Sequence, residues 1–141
     1  MRVFYQTILL GTLLVAIAGL VRAGDIKVIA NSAVTASSVS ADDLKGVFLA
    51  TKTSLLDGSH VEPVLLKSGA AHETFLKQYL GKTDSALETY YRSLVFTGKG
   101  SMPKSLPSET DVVGFVAKTK GAIGYVSGAA ATEGVKVLDV K

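Results

Sequence analysis

Val61-Glu62-Pro63-Val64-Leu65-Leu66 runs straight into Lys67-Ser68-Gly69-Ala70-Ala71 and then His72-Glu73-Thr74-Phe75-Leu76-Lys77-Gln78-Tyr79-Leu80, and this stretch decides the fold. The first six residues form a short apolar run that reads as a strand. Pro63 has no amide hydrogen to donate, so the strand is expected at an edge, or paired on one side only at that point. In the last nine, Phe75, Leu76, Tyr79 and Leu80 share one face at helical spacing, and Gly81 ends the pattern. A strand that feeds a helix through five small or polar residues is one half of a strand–helix–strand unit.

Working outward, the same alternation continues. Ile26-Lys27-Val28-Ile29-Ala30 reads as a strand, followed by a polar stretch from Asn31 to Val39. Ser40-Ala41-Asp42-Asp43 has the composition of a helix start, with a serine to accept from orphan amides and acids that suit the positive end. Leu44, Val47 and Phe48 follow on one helical face, and Asp57-Gly58 marks a tight turn. Downstream, Thr83-Asp84 caps a helix carrying Leu87, Tyr90, Tyr91 and Leu94, and Gly98 to Pro107 reads as a loop. Ser108-Glu109-Thr110-Asp111 opens a further helix through Val112, Val113, Phe115 and Val116, with Gly121 as its stop. Ala122–Val126 and Val135–Val140 complete the strands. The expectation is an α/β domain with a mixed sheet flanked by helices.

The N-terminus reads differently. Thr7 to Val21 is an apolar run of about 15 residues with Arg2 before it, too short for the roughly 20 that span a bilayer. Val21-Arg22-Ala23 has small residues where a signal peptidase looks, so residues 1–23 are expected to be a signal peptide cut before Gly24, and residues 24–141 the domain. No cysteine is present anywhere to accept a lipid or form a disulfide. Of the 141 residues, 118 then remain, and losing two arginines and no acid lowers the net charge from +3 to +1. That charge gives no reason to expect nucleic acid or an anionic membrane as partner. A chain of this size supports one core.

Chemistry-bearing clusters are sparse. His60 and His72 lack the Cys and His companions of a zinc site and are expected on the solvated surface. No serine sits in a nucleophile turn, so neither an enzyme, a metal nor a cofactor is expected. Thr97-Gly98-Lys99-Gly100-Ser101 has glycines and a lysine that suit an anion, but it follows a helix and precedes Pro103, unlike a nucleotide-binding loop. It reads as a helix-exit loop, with Lys99 and Ser101 as lesser anion candidates. The Lys67–His72 junction is the better one. Free backbone amides at a helix start attract anions, and strand ends of open α/β sheets are where ligands bind. Every α/β domain has such junctions, so an unremarkable connection remains the other reading.

Five landmarks in order carry a resemblance: Ser40–Phe48, Asp57-Gly58, Lys67–Phe75, Ser93-Leu94-Val95-Phe96-Thr97-Gly98-Lys99-Gly100, and Gly121-Ala122-Ile123-Gly124-Tyr125-Val126. From roughly Ile26 to Val140 the chain resembles the phosphate substrate-binding proteins of ABC transporters, in the type II periplasmic-binding-protein superfamily. Full members have two lobes closing on the anion, and this chain resembles one. The resemblance implies a periplasmic, single-lobe binder of phosphate or a related oxyanion through Lys67, Ser68, Gly69 and Ala70. In that family the junction is similar to Gly-Ser-Gly-Thr. Aligned on Glu73-Thr74-Phe75, the serine position holds Gly69 and the threonine position Ala71; a shift of one residue recovers Ser68-Gly69 but not the threonine, so either way a hydroxyl is missing. The tryptophan common before the Asp-Gly turn is also absent. One lobe leaves half of an anion's shell to water, so binding is expected to be weak unless a second copy completes it. The rival expectation is a module without ligand that docks on an envelope sensor or transporter, with no membrane insertion once the signal is removed.

Overall fold

The computed structural model describes residues 25–55 and 57–141. The expected signal peptide and its cut before Gly24 lie outside the described residues. Six strands and four helices follow in order: β1 (Ile26–Ala30), β2 (Ser38–Val39), α1 (Ala41–Phe48), β3 (Glu62–Leu66), α2 (Ala70–Phe75, continued by a wider π-type turn over Leu76–Leu80), α3 (Asp84–Phe96), β4 (Lys104–Leu106), α4 (Glu109–Lys118), β5 (Ala122–Ser127) and β6 (Lys136–Val140). They form one sheet in the order β2-β6-β1-β5-β3-β4. β1 is antiparallel to both its neighbours, with Val28 opposite Tyr125 and Leu138, and the other five strands run the same way. The mixed sheet expected from the sequence is present.

Residues 122–126 of β5 are buried without alternation, the mark of a strand covered on both faces. Gly124 lies against Val112 and Val116 of α4, whereas its neighbour Tyr125 stacks on Phe75 of α2 and meets Phe48 of α1 on the opposite face. Helices therefore pack on both sides of the central strands. Each fully buried side chain of this kind contributes roughly 1.5–3 kcal/mol.

Three helix starts behave as their sequences suggest. Ser40, Thr83 and Ser108 each accept a hydrogen bond from the backbone three residues on, at 3.0, 3.2 and 3.1 Å. Helix ends are tied by longer-range contacts. Tyr90 and Tyr91 of α3 donate their hydroxyls to the carbonyls of Leu49 and Phe48, satisfying the exit of α1. The buried amide of Asn31, just past β1, donates to the carbonyls of Val116 and Ala117 at 2.8 and 3.2 Å and so closes α4.

Several expectations need correction. β3 is an interior strand, not an edge. Pro63 is nonetheless paired on one side only, because β5 reaches it and β4 starts opposite Val64. The polar stretch before Ser40 contains β2, and the Gly98–Pro107 loop contains β4. Both are short edge strands, and the exposed Lys104 on β4 discourages edge-to-edge pairing. α4 ends at Lys118 rather than running to Gly121. Gly121 instead turns the chain into β5 at φ 82°, where an added Cβ would sit 3.0 Å from the carbonyl oxygen of His60.

Asp43, buried in the first turn of α1, is ion-paired with Lys52 across Gly46. The Lys52 hydrogen bond holds the Asp43 carboxyl below the usual range, desolvation opposing it. A carboxyl lowered on folding adds stability above its unfolded value, and that stability is lost as pH falls through the folded value. Stability should therefore drop below the ordinary aspartate range, and Lys52→Met should flatten that acid limb in denaturation measured from pH 6 to pH 2. An unchanged acid limb in the variant would remove the pair as its cause.

Candidate functional site

All parallel strands point the same way, so the starts of α1, α2 and α4 gather at one edge of the sheet, beyond the ends of β2, β3 and β4. The β3–α2 junction lies there. The Lys67 amide donates to the Leu106 carbonyl at 2.9 Å as the last rung of β3 on β4. Ser68, Gly69 and Ala70 are then exposed, and Gly69 takes φ 106° at the helix cap. That φ is strained for any residue with a Cβ, which accounts for a glycine here.

α2 differs from the other three helices in having no side-chain cap. Helical geometry leaves the amides of Ala70, Ala71 and His72 without intrahelical partners. Ala71 carries no hydroxyl, so any anion here would rest on backbone amides, Ser68 and the Lys67 ammonium. Lys67 makes no salt bridge among the described residues. Beside the junction opens a cleft of about 380 Å³, lined among others by Lys67, His72, Asp84, Glu88, Arg92 and Ser105. Glu88 and Arg92 lie 3.6 Å apart.

His72 is the largest departure from expectation, because it is buried and not on the solvated surface. Its Nε2 lies 2.8 Å from Asp84 Oδ1 at the start of α3, and its Nδ1 meets the Tyr125 hydroxyl. The Leu66 amide donates to that same hydroxyl oxygen at 3.1 Å. The donor order follows: Leu66 N–H to Tyr125 oxygen, Tyr125 O–H to Nδ1, Nε2–H to Asp84. A neutral imidazole satisfies every member. Burial pushes the Tyr125 phenol well above the usual tyrosine range, the Leu66 hydrogen bond working against it, so the hydroxyl stays a donor. Tyr125 is fully enclosed, so no substrate reaches its oxygen and the chain fastens α2, β3, β5 and α3 together. His60 is exposed, as expected.

Lys99 and Ser101 are not brought to this junction. They line a separate cleft with Glu62, Pro63 and Lys104, at the starts of β3 and β4. The two places lie at opposite ends of β3, about 13 Å apart along a five-residue strand. Their separation was not readable beforehand, since it depends on β4, which the sequence disguises as loop. His72 did leave a signal, because residues 72, 75, 76 and 79 share the helical face that turns inward. Its partners are 12 and 53 residues away and left none.

No protein-family model matches the sequence, and comparison with curated proteins yields no match. Solved structures do match. An ABC-type phosphate transport receptor from Vibrio cholerae superposes with a TM-score of 0.59 at 14% identity, covering 82% of this chain and 46% of the receptor. PstS from Borrelia burgdorferi gives 0.63 at 12% identity, covering 83% of this chain and 47% of its own. The chain thus spans less than half the length of these structures. Its fold is that of a single periplasmic-binding-protein-like lobe, and identity this low carries the fold alone.

Proposed function

We propose that this chain is an exported substrate-binding module, with one lobe that takes phosphate or a similar oxyanion at the β3–α2 junction. The uncapped start of α2, alone among the four helices of the described residues and at the strand ends where α/β sheets bind ligands, carries the reading. Lys67 supplies charge, Ser68 a hydroxyl, and Gly69 and Ala70 the close-approaching backbone. Lys99 and Ser101 have no part in this site. The residues that precede the described lobe, 1–23, act as the signal for the periplasm.

Affinity should be weak, on the order of 1 mM, because one wall leaves the anion's outer half to water. Calorimetric titration of residues 24–141 with phosphate, sulfate and acetate tests this. Lys67→Ala should weaken phosphate binding about tenfold, and raising salt should do likewise, as an exposed charge contact demands. Folded protein that gives no heat at tens of millimolar of any anion would end the reading. A second copy that completes the shell would show as phosphate-dependent dimerisation in sedimentation.

The missing hydroxyl at Ala71 favours a second reading, a lobe that keeps the fold without ligand and serves as an interaction module for an envelope sensor or transporter. A stoichiometric partner that is retained by the Lys67→Ala, Ser68→Ala double variant, together with silent titrations, would favour it.

A further inference from the structure

Tyr125 grips both ends of the loop that joins β3 to α2. Its hydroxyl oxygen accepts from the Leu66 amide at 3.1 Å, one residue before the loop, and its hydrogen goes to Nδ1 of His72 in the first turn of α2. β3 pairs with β5 at Glu62 and Pro63, and beyond them the phenol takes over the Leu66 amide. The loop between the two grips, residues 67–71, includes the exposed Ser68, Gly69 and Ala70.

This arrangement suits one protonation state of His72. The neutral imidazole carries its hydrogen on Nε2, directed at Asp84, and leaves Nδ1 free to accept. A proton added to Nδ1 turns that acceptor into a second donor. Two N–H groups, from Leu66 and His72, would then face the Tyr125 oxygen, and the phenol hydrogen would have to turn away. Tyr125 is fully enclosed, which denies that hydrogen bulk water, and a buried donor without an acceptor is costly. The other side of the ring responds in the opposite sense. Asp84, its side chain 53% exposed, gains an ion pair with the imidazolium that it already touches. The remaining charges around His72 offset one another. Lys67 from β3 and Arg92 from α3 line the same cleft as Glu88 of α3, and Glu73 follows on α2 itself. β5 brings only the Tyr125 phenol, and β4 the neutral Ser105.

We propose that His72 is a proton-operated latch on the β3–α2 junction. Neutral, it ties the start of α2 to β5 through Tyr125. Protonated, it keeps α3 through Asp84 and lets go of β5, so the grip on residues 67–71 is present above the imidazole's titration and lost below it. The latch stands whether or not an anion binds at the loop.

The chain has two histidines, and His60→Gln, at an exposed position, leaves His72 as the one imidazole. In that variant of residues 24–141, ring-nitrogen NMR follows the proton and amide hydrogen exchange follows the grip. From about pH 7.5 to about pH 5, protection of the Leu66 amide relative to an unstructured peptide should fall about tenfold, in step with protonation of the ring. The Asn31 amide, which donates to the Ala122 carbonyl at 2.9 Å, should keep its protection. In His72→Gln, where nothing at the position titrates in this range, Leu66 protection should not follow pH. The His60→Gln arm decides the matter even if His72→Gln does not fold. Unchanged Leu66 protection as the ring protonates overturns the latch, as does a ring still neutral at about pH 5. Equal loss at Asn31 overturns it too, because the event is then unfolding of the whole domain.

Discussion

Tyr125→Ala is expected to lower stability by about 4 kcal/mol or more, which is most of the total if that lies near the bottom of the usual range of about 5–15 kcal/mol. Two losses combine. The ring stacks on Phe75 at 3.8 Å between centroids and lies 5.8 Å from Phe48, so its removal opens a cavity where three elements meet. The hydroxyl is also the joint between the Leu66 amide and His72, and without it both lose a buried partner. Tyr125→Phe separates the terms, because it keeps the ring and should cost about 1–3 kcal/mol. Urea denaturation measures both, read as a lower midpoint at unchanged slope. If the phenylalanine variant matches the native protein, the hydroxyl does not fasten the junction, and the donor order given above fails with it.

Gly124→Val is expected to be nearly as damaging, for the opposite reason. A Cβ at this position would lie 2.9 Å from a methyl of Val64 and 3.0 Å from one of Val112, with Val116 at 3.4 Å. Valine side chains have little rotamer freedom with which to retreat, and all three are fully buried. Alanine alone should cost about 1–3 kcal/mol through overpacking, and valine at least the upper end of that range. Combining Gly124→Ala with Val112→Ala should cost less than the sum of the two single changes, because the second makes room for the first. Strict additivity in the same urea measurements would mean that α4 does not press on β5 at this glycine.

That glycine illustrates what sequence can and cannot yield. Gly121-Ala122-Ile123-Gly124-Tyr125 is legible as a strand from its composition, yet the reason for Gly124 is α4 lying against it, which no local pattern carries. The capped helices were readable because Ser40, Thr83 and Ser108 act within three residues of themselves. β2 and β4 were not, because two or three residues hold no period. Pro63 signalled one-sided pairing correctly, but the same signal suits an edge strand and an interior strand whose neighbour starts late. For the candidate site, the junction from Lys67 to Ala70 was legible as a strand running into a glycine-marked helix start. The distance from it to Lys99 was not, since strand order decides it.

The position of β1 bears on how the molecule comes to exist at all. Its first strand lies in the middle of the sheet, paired on one side with β5 and on the other with β6, roughly a hundred residues later in the chain. A chain emerging N-terminus first, from a ribosome or any narrow channel, therefore has nothing to close its centre until the last strands appear. Contacts so distant in sequence are slow to form, so the sheet assembles late. Until then the apolar run of β1 has neither of the two partners that cover its edges in the finished sheet.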